Sequence, residues 1–185
     1  MTEPHPLTPL LAPCSVAIFG ASNDRERISG RPLRYFLEAG YSGALYPINP
    51  NRETVQGIPA YPDLASAPGL VEFALIAVPA ALATAALEAS IAKGVRAVVM
   101  FTAGYAETGE EGRVAQERLA DIARRGGVRI CGPNCLGLFN LRIGHTPTFG
   151  SYLEEVRSTP VRSAWSLNPA PSARICWRSA SAAGS

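Results

Sequence analysis

The sequence predicts an α/β domain, a Rossmann-like doubly wound parallel sheet, on three observations. Short apolar runs alternate along the chain with longer helical patterns. Two of these runs, 73–78 and 95–101, are continuously apolar, as strands buried on both faces are. The first run, Ser15–Phe19, ends in Gly20-Ala21-Ser22-Asn23, a glycine turn followed by polar residues and a helix start. Such a turn aims backbone N–H groups and a helix N-terminus at one point, which suits a phosphate.

The elements follow in order. Residues 7–11 read as a short lead-in helix stopped by Pro13, and Ser15–Phe19 as the first strand. Residues 32–39 read as a helix with Ser29 as N-cap and Gly40 as its stop. Ala44–Ile48 is the second strand. Residues 57–64 are irregular, with a short strand possible at 58–62. After the apolar run 73–78 come an alanine-rich helix, Ala80–Ala92, and the strand 95–101. Glu110–Arg125 is a helix with Val114, Leu119 and Ile122 on its apolar side, and 128–131 is the last clear strand. Ligands of such sheets bind beyond the strand C-termini. That rule collects Gly20 to Arg25, Asn49 to Arg52, Val78-Pro79, Phe101 to Gly104 and Gly132 to Cys135 along one rim.

At 185 residues and 47% apolar composition, the chain is long enough for one domain with a real core. A net charge of +2 points neither to nucleic acid nor to a membrane surface. No apolar run is long enough to span a bilayer, and no signal peptide is visible at the N-terminus. Lys93 is the only lysine among 17 basic residues. The four cysteines show no disulfide framework, and with two histidines in the chain a zinc site at Cys131 and Cys135 is disfavoured. Reduced thiols and a cytoplasmic location are expected.

The first turn is not the G-x-G-x-x-G of a dinucleotide site, because the second and third glycines are missing. The second strand ends in Asn49-Pro50-Asn51-Arg52, where an NAD site wants an acid. A neutral-to-basic tip fits a phosphorylated ribose better than a free diol.

Gly20-Ala21-Ser22, Tyr46-Pro47-Ile48-Asn49-Pro50, Ile76-Ala77-Val78-Pro79, Thr102-Ala103-Gly104-Tyr105 and Gly132-Pro133-Asn134-Cys135-Leu136-Gly137 occur in order along the chain. Together they resemble the CoA-binding domain of NDP-forming acyl-CoA synthetases, the superfamily of ADP-forming acetate–CoA ligase and the succinyl-CoA synthetase α subunit. The resemblance covers residues 7–160. It implies coenzyme A as the small-molecule ligand. It also implies that full-length members associate with an ATP-grasp domain or subunit and work through a phosphohistidine in a following domain.

The resemblance places Gly20, Ser22, Asn23, Asp24 and Arg25 in the loop that holds the ADP part of CoA. Arg25 can pair with a phosphate through its planar fork, whereas Asp24 repels one. Arg52 aligns with a family lysine. Arg25, Arg27 and Arg52 are otherwise solvated surface charges, and their place at strand C-termini favours the binding role for Arg25 and Arg52. Val78, Pro79, Phe101, Thr102 and Ala103 would flank the adenine and the pantetheine arm, with the proline leaving its neighbour's carbonyl free to accept; plain turn chemistry is the other reading. Asn134 and Cys135 would lie near the thiol end. Cys135 is either a nucleophile or a small apolar lining group, and the lack of a histidine base favours the lining role.

After Pro160 the sequence departs from the family, which continues roughly as G-P-V-G-L-V-S-Q-S-G-A-F-G. Residues 161–185 show neither helical nor strand period. Reading their codons one base earlier restores the family segment. Trp165 (TGG) before Ser166 (TCN) then encodes valine, Cys176 before Trp177 encodes leucine, and Trp177 before Arg178 (CGN) encodes alanine. With permitted third bases elsewhere, 161–177 becomes P-V-G-L-V-S-Q-S-G-A-F-G-S-H-L-L. A frameshift between Val156 and Val161, in the gene or in its sequencing, is therefore expected, followed by an early stop and a loosely attached tail. The domain plan is 1–14 lead-in, 15–150 CoA-binding Rossmann-like domain, and 151–185 irregular tail. Alternatives are a stand-alone CoA-binding regulatory module and, from a different class, an NAD(H)-binding redox-sensing domain.

Overall fold

The computed structural model describes residues 5–154. Five strands form one parallel sheet: β1 (Ser15–Phe19), β2 (Ala44–Ile48), β5 (Phe73–Ile76), β6 (Ala97–Met100) and β7 (Arg129–Cys131), in the order β2-β1-β5-β6-β7. A small antiparallel hairpin, β3 (Thr54–Val55) and β4 (Ile58–Pro59), follows β2. Helix α1 (Thr8–Leu11) precedes β1, and α2 (Arg31–Glu38), α3 (Ala80–Ala92) and α4 (Glu110–Arg125) connect strands of the sheet. The sheet is the expected Rossmann-like doubly wound one.

Side chains alternate across the sheet with the two-residue period of a strand. Val16, Ile18, Phe73, Leu75, Ala97 and Val99 join Leu33 and Phe36 of α2 in one buried cluster. Ala17, Phe19, Ala74, Ile76, Val98 and Met100 join Ala83 and Leu87 of α3 and Leu119 and Ala123 of α4 in the other. From Val16 onward in β1, and throughout β5 and β6, the central strands are thus apolar because both their faces are covered, as parallel sheets require. Alanines on α3 let that helix lie close to the strands. In α4, Glu110 and Glu111 open the helix and Arg124 and Arg125 close it, which suits the helix dipole at both ends.

Several boundaries differ from expectation. Helix α2 begins one residue early, capped by the Gly30 backbone and not by the Ser29 side chain. Glycine is required at position 30, since a Cβ there would lie 1.8 Å from the Asp24 carbonyl oxygen. β5 and β6 are shorter than their apolar runs, which continue into the turns that carry the site. The hairpin at 54–59 and a 3-10 turn at Ala106–Thr108 have too few residues for a periodic signal.

Residues through Gly150 form one compact unit; Ser151 begins a second, of which 151–154 are described. The tail 161–185 lies outside the described residues. No helix among the described residues is long and apolar enough to cross a membrane. Cys131 and Cys135 are free thiols and Cys14 is not, so the expectation of reduced cysteines fails at Cys14.

Candidate functional site

Crossovers leave β1 toward β2 on one side and continue through β5 and β6 on the other. The strand order therefore reverses between β1 and β5, and a crevice opens there beyond their C-terminal ends. A cavity of about 550 Å³ lies at this point, lined by Glu26, Arg27, Ile28, Ser29, Arg31, Ala77, Val78, Phe101 and Thr102. The volume is that of an ordinary small-molecule pocket.

The loop after β1 approaches β5 closely. Gly20 has φ of +79°, and a Cβ there would sit 2.5 Å from the Ala77 carbonyl oxygen. Only glycine lets the backbone pass at this distance. The loop then folds on itself. Ser22 Oγ accepts from the Asp24 N–H at 3.1 Å, Asp24 Oδ1 accepts from the Glu26 N–H at 3.1 Å, and the Arg27 carbonyl accepts from Gly30 and Arg31, both at 2.9 Å. The start of α2 thus spends two of its N–H groups inside the loop, and Pro32 has none to offer. The expectation of a helix N-terminus rich in open donors gives way to one dominated by side-chain cations.

Arg31 is the most telling of these cations. Its Nη1 donates to the Phe149 carbonyl at 3.3 Å, and its Nε is buried with no partner. Among the described residues no carboxylate pairs with it. A buried guanidinium nitrogen left unpaired is costly, and because Arg31 also lines the cavity its positive charge stands beside the space an anion would fill. Arg27, at the rim, meets Asp24 at 3.1 Å. Glu26 is held by Arg34 at 2.5 Å, which offsets its charge. Ile28, Val78 and Phe101 supply apolar wall, and Phe101 is braced edge-to-face by Phe149 with centroids 4.7 Å apart.

Of the residues selected from sequence, Val78, Phe101 and Thr102 line the cavity and Gly20 shapes it. The others lie around it. Arg25 pairs with Glu38 at 2.9 Å instead of presenting a free fork. Asn23 Oδ1 accepts from the Gln56 N–H at 2.6 Å. Arg52 is exposed on the neighbouring tip, where its N–H meets the Asn49 carbonyl at 3.4 Å. The Val78 carbonyl is not left free by Pro79: it accepts from the Thr102 hydroxyl at 2.7 Å, because Thr102 at the end of β6 turns back onto its neighbour. Pro79 and Ala103 are exposed at the rim. Asn134 has φ of 51°, exposes its side chain and ties its N–H to the Thr102 carbonyl at 3.0 Å, joining the turns after β6 and β7.

Cys135 is outside the cavity lining. Its thiol lies 3.4 Å from the carbonyls of Met100 and Cys131, and burial pushes its pKa up to about 11. His145 is fully buried beside Phe73, the first residue of β5, at the opposite end of the sheet. It is no base for Cys135.

Sequence reasoning missed Glu26, Arg27, Ile28, Arg31 and Ala77 as cavity residues, read Ser29 only as a helix cap, and missed Gln56 behind the loop. One signal was available for Arg31. A cation at the first position of a helix opposes the helix dipole, so its presence there asks for an anion.

A parallel α/β sheet with a cationic cleft at its switch point defines a Rossmann-like nucleotide-binding domain. The chain belongs to the CoA binding domain family, whose profile matches residues 14–140. It is 40% identical over 137 residues to the acetate–CoA ligase [ADP-forming] II subunit alpha of Pyrococcus furiosus, a match covering 74% of this chain and 30% of that one. It is 36% identical to the 4-hydroxybutyrate–CoA ligase [ADP-forming] of Nitrosopumilus maritimus, over 72% of this chain and 19% of the relative. Among solved structures it resembles the dinucleotide forming acetyl-coenzyme A synthetase 1 of Candidatus Korarchaeum cryptofilum, determined in complex with phosphate and ADP. That match has a TM-score of 0.74 and 33% identity, and covers 78% of this chain and 31% of the other. The chain thus spans less than a third of the length of these relatives. It is homologous to the CoA-binding domain of ADP-forming acyl-CoA synthetases, as the five motifs imply.

The residues present fit a phosphate-bearing ligand. An unpaired buried guanidinium nitrogen, a second arginine at the rim, an apolar wall and a glycine where a Cβ would block the turn all meet in one cleft.

Proposed function

We propose that this domain holds coenzyme A at the carboxyl edge of the sheet, as the CoA-binding part of an ADP-forming acyl-CoA synthetase. The observation that carries the reading is Arg31, a cavity-lining cation whose Nε has no hydrogen-bond partner among the described residues. In it, Arg31 and Arg27 receive the diphosphate, while Gly20, Ser22, Asn23, Asp24 and Arg25 form the loop around it. Arg52 on the second tip meets the ribose phosphate. Val78, Pro79, Phe101, Thr102 and Ala103 flank the adenine and the pantetheine arm, and Asn134 and Cys135 lie toward the thiol end. CoA supplies a thiol to be acylated; the chain's own residues bind and orient it.

Calorimetry tests the ligand. CoA is expected to bind more tightly than NADH, and the reverse order would discard the assignment. Arg31→Gln should weaken CoA about tenfold or more, the scale of a charge-assisted hydrogen bond. Arg52→Glu should weaken CoA more than dephospho-CoA; equal losses would remove Arg52 from the ribose phosphate.

The names of the relatives support acid–CoA ligase chemistry for the parent enzyme. The family segment recovered from 161–177 in the shifted frame supports reading this chain as a fragment of such an enzyme, not as a stand-alone module. Resequencing the gene across Val156 decides between them: an unaltered frame with no ligase-encoding sequence downstream would favour the module.

A further inference from the structure

Gln56 sits in a backbone conformation that its residue type does not favour. Hairpin β3–β4 pairs Val55 with Ile58, so Gln56 and Gly57 close it alone, with φ of 50° and 83°. A two-residue loop with positive φ at both positions is the type I′ turn, which takes Asn, Asp or Gly first. A glutamine held there against that preference calls for a reason elsewhere in the structure.

Its side chain supplies the reason. Nε2 donates to the Ser22 carbonyl and to the Gly30 carbonyl, each at 2.8 Å. These are the two ends of the loop that carries Arg27 and Ile28 and leads into Arg31. The Gln56 N–H donates to Asn23 Oδ1 at 2.6 Å, a third tie to the same loop. Both side-chain partners are carbonyls, so the amide nitrogen must face them. An asparagine would suit the turn and fall one methylene short of this bridge.

We propose that Gln56 is the positioning residue of the ligand loop. It pins both ends of residues 22–30, so that the cavity wall is formed before a ligand arrives. Pre-forming a binding loop removes its ordering cost from the binding step. The ligand named here rests on the reading proposed above; the clamp itself is measurable without any ligand.

The test is amide hydrogen exchange over residues 22–30 in the ligand-free chain, with CoA titrations in parallel, for wild type, Gln56→Asn and Gln56→Ala. Gln56→Asn should keep its melting temperature at or above that of wild type, because asparagine relaxes the turn. Its loop amides should nonetheless exchange faster, and its CoA affinity should fall about tenfold. Gln56→Ala should show the same two losses. Unchanged loop exchange in both variants overturns the proposal. So does faster exchange with full CoA affinity, and so does an affinity loss without faster exchange, which would make Gln56 a direct ligand contact. A wild-type chain that ignores CoA defeats the proposed ligand instead, and the exchange comparison then decides the clamp alone.

Discussion

His145 is surrounded by Phe36, Tyr41 and Phe73, with ring centroids 5.5, 6.1 and 4.9 Å away. Its Nε2 lies 3.1 Å from the Leu10 carbonyl, so that nitrogen carries the proton, and Nδ1 is buried with no hydrogen-bond partner among the described residues. Burial lowers its pKa to about 4, from the ordinary 6.5. Between these values the unfolded chain binds a proton that the folded chain refuses. Stability is therefore complete above pH 6.5 and falls as the pH drops toward 4, by about 3 kcal/mol in all. Denaturant titrations from pH 7 to 4 should show this loss, and His145→Phe should reduce it. An unchanged slope in the variant would mean that other groups set the acid limit. Cys135 makes a second residue-level case. With its pKa near 11, folded protein should alkylate at this thiol roughly a hundredfold more slowly than a free cysteine at pH 8. Mass spectrometry after iodoacetamide reads the site, and free-cysteine rates there would contradict the burial argument.

The junction of β1 with β5 is where element packing meets the site. A Cβ on Gly20 would lie 2.5 Å from the Ala77 carbonyl oxygen and 3.1 Å from its carbon, both backbone atoms of the turn after β5. Neither can swing aside as a side chain can, and φ of +79° is unfavourable for alanine besides. Gly20→Ala should therefore cost about 1–3 kcal/mol in urea melts and also weaken CoA; a variant as stable as wild type would show that the turn yields freely. The sheet strands and α3 and α4 were legible because their signals are long: apolar runs such as 73–78, and the periodicity of Glu110–Arg125. The cap of α2 was not, because it falls on Gly30, a glycine required by the close approach of the Asp24 carbonyl, which no local pattern encodes. Hairpin β3–β4 was hidden by its length and by an atypical turn residue. Val78, Phe101 and Thr102 could be placed from strand ends alone. The ion pair of Arg25 could not be read, since its partner Glu38 is fixed only once α2 packs beside the loop.

At the scale of the whole molecule, the described unit holds the cleft at the switch point, and its match covers 30% and 19% of the lengths of the two ligase relatives. Binding and turnover should therefore separate. Any ligand that binds only the folded state stabilises it, by about 2.7 kcal/mol at a hundred times its Kd. For a chain of this size that corresponds to a rise in melting temperature of about 5–10 °C. Saturating CoA is expected to produce it, and NADH at the same concentration is not. Acyl-CoA formation also requires a group that activates the acid at the expense of a nucleotide. Among the described residues the ionisable groups lining the cleft are Glu26, already held by Arg34, and two arginines, none of which activates an acid. Cys135 lies outside it as a protonated thiol, and His145 is buried at the far end of the sheet. The purified chain, given acetate, ATP and CoA, should show the CoA-dependent shift with neither ADP nor acetyl-CoA above background. Acid-dependent ATP consumption by this chain alone would defeat the separation of binding from turnover, even if the thermal shift appeared as expected.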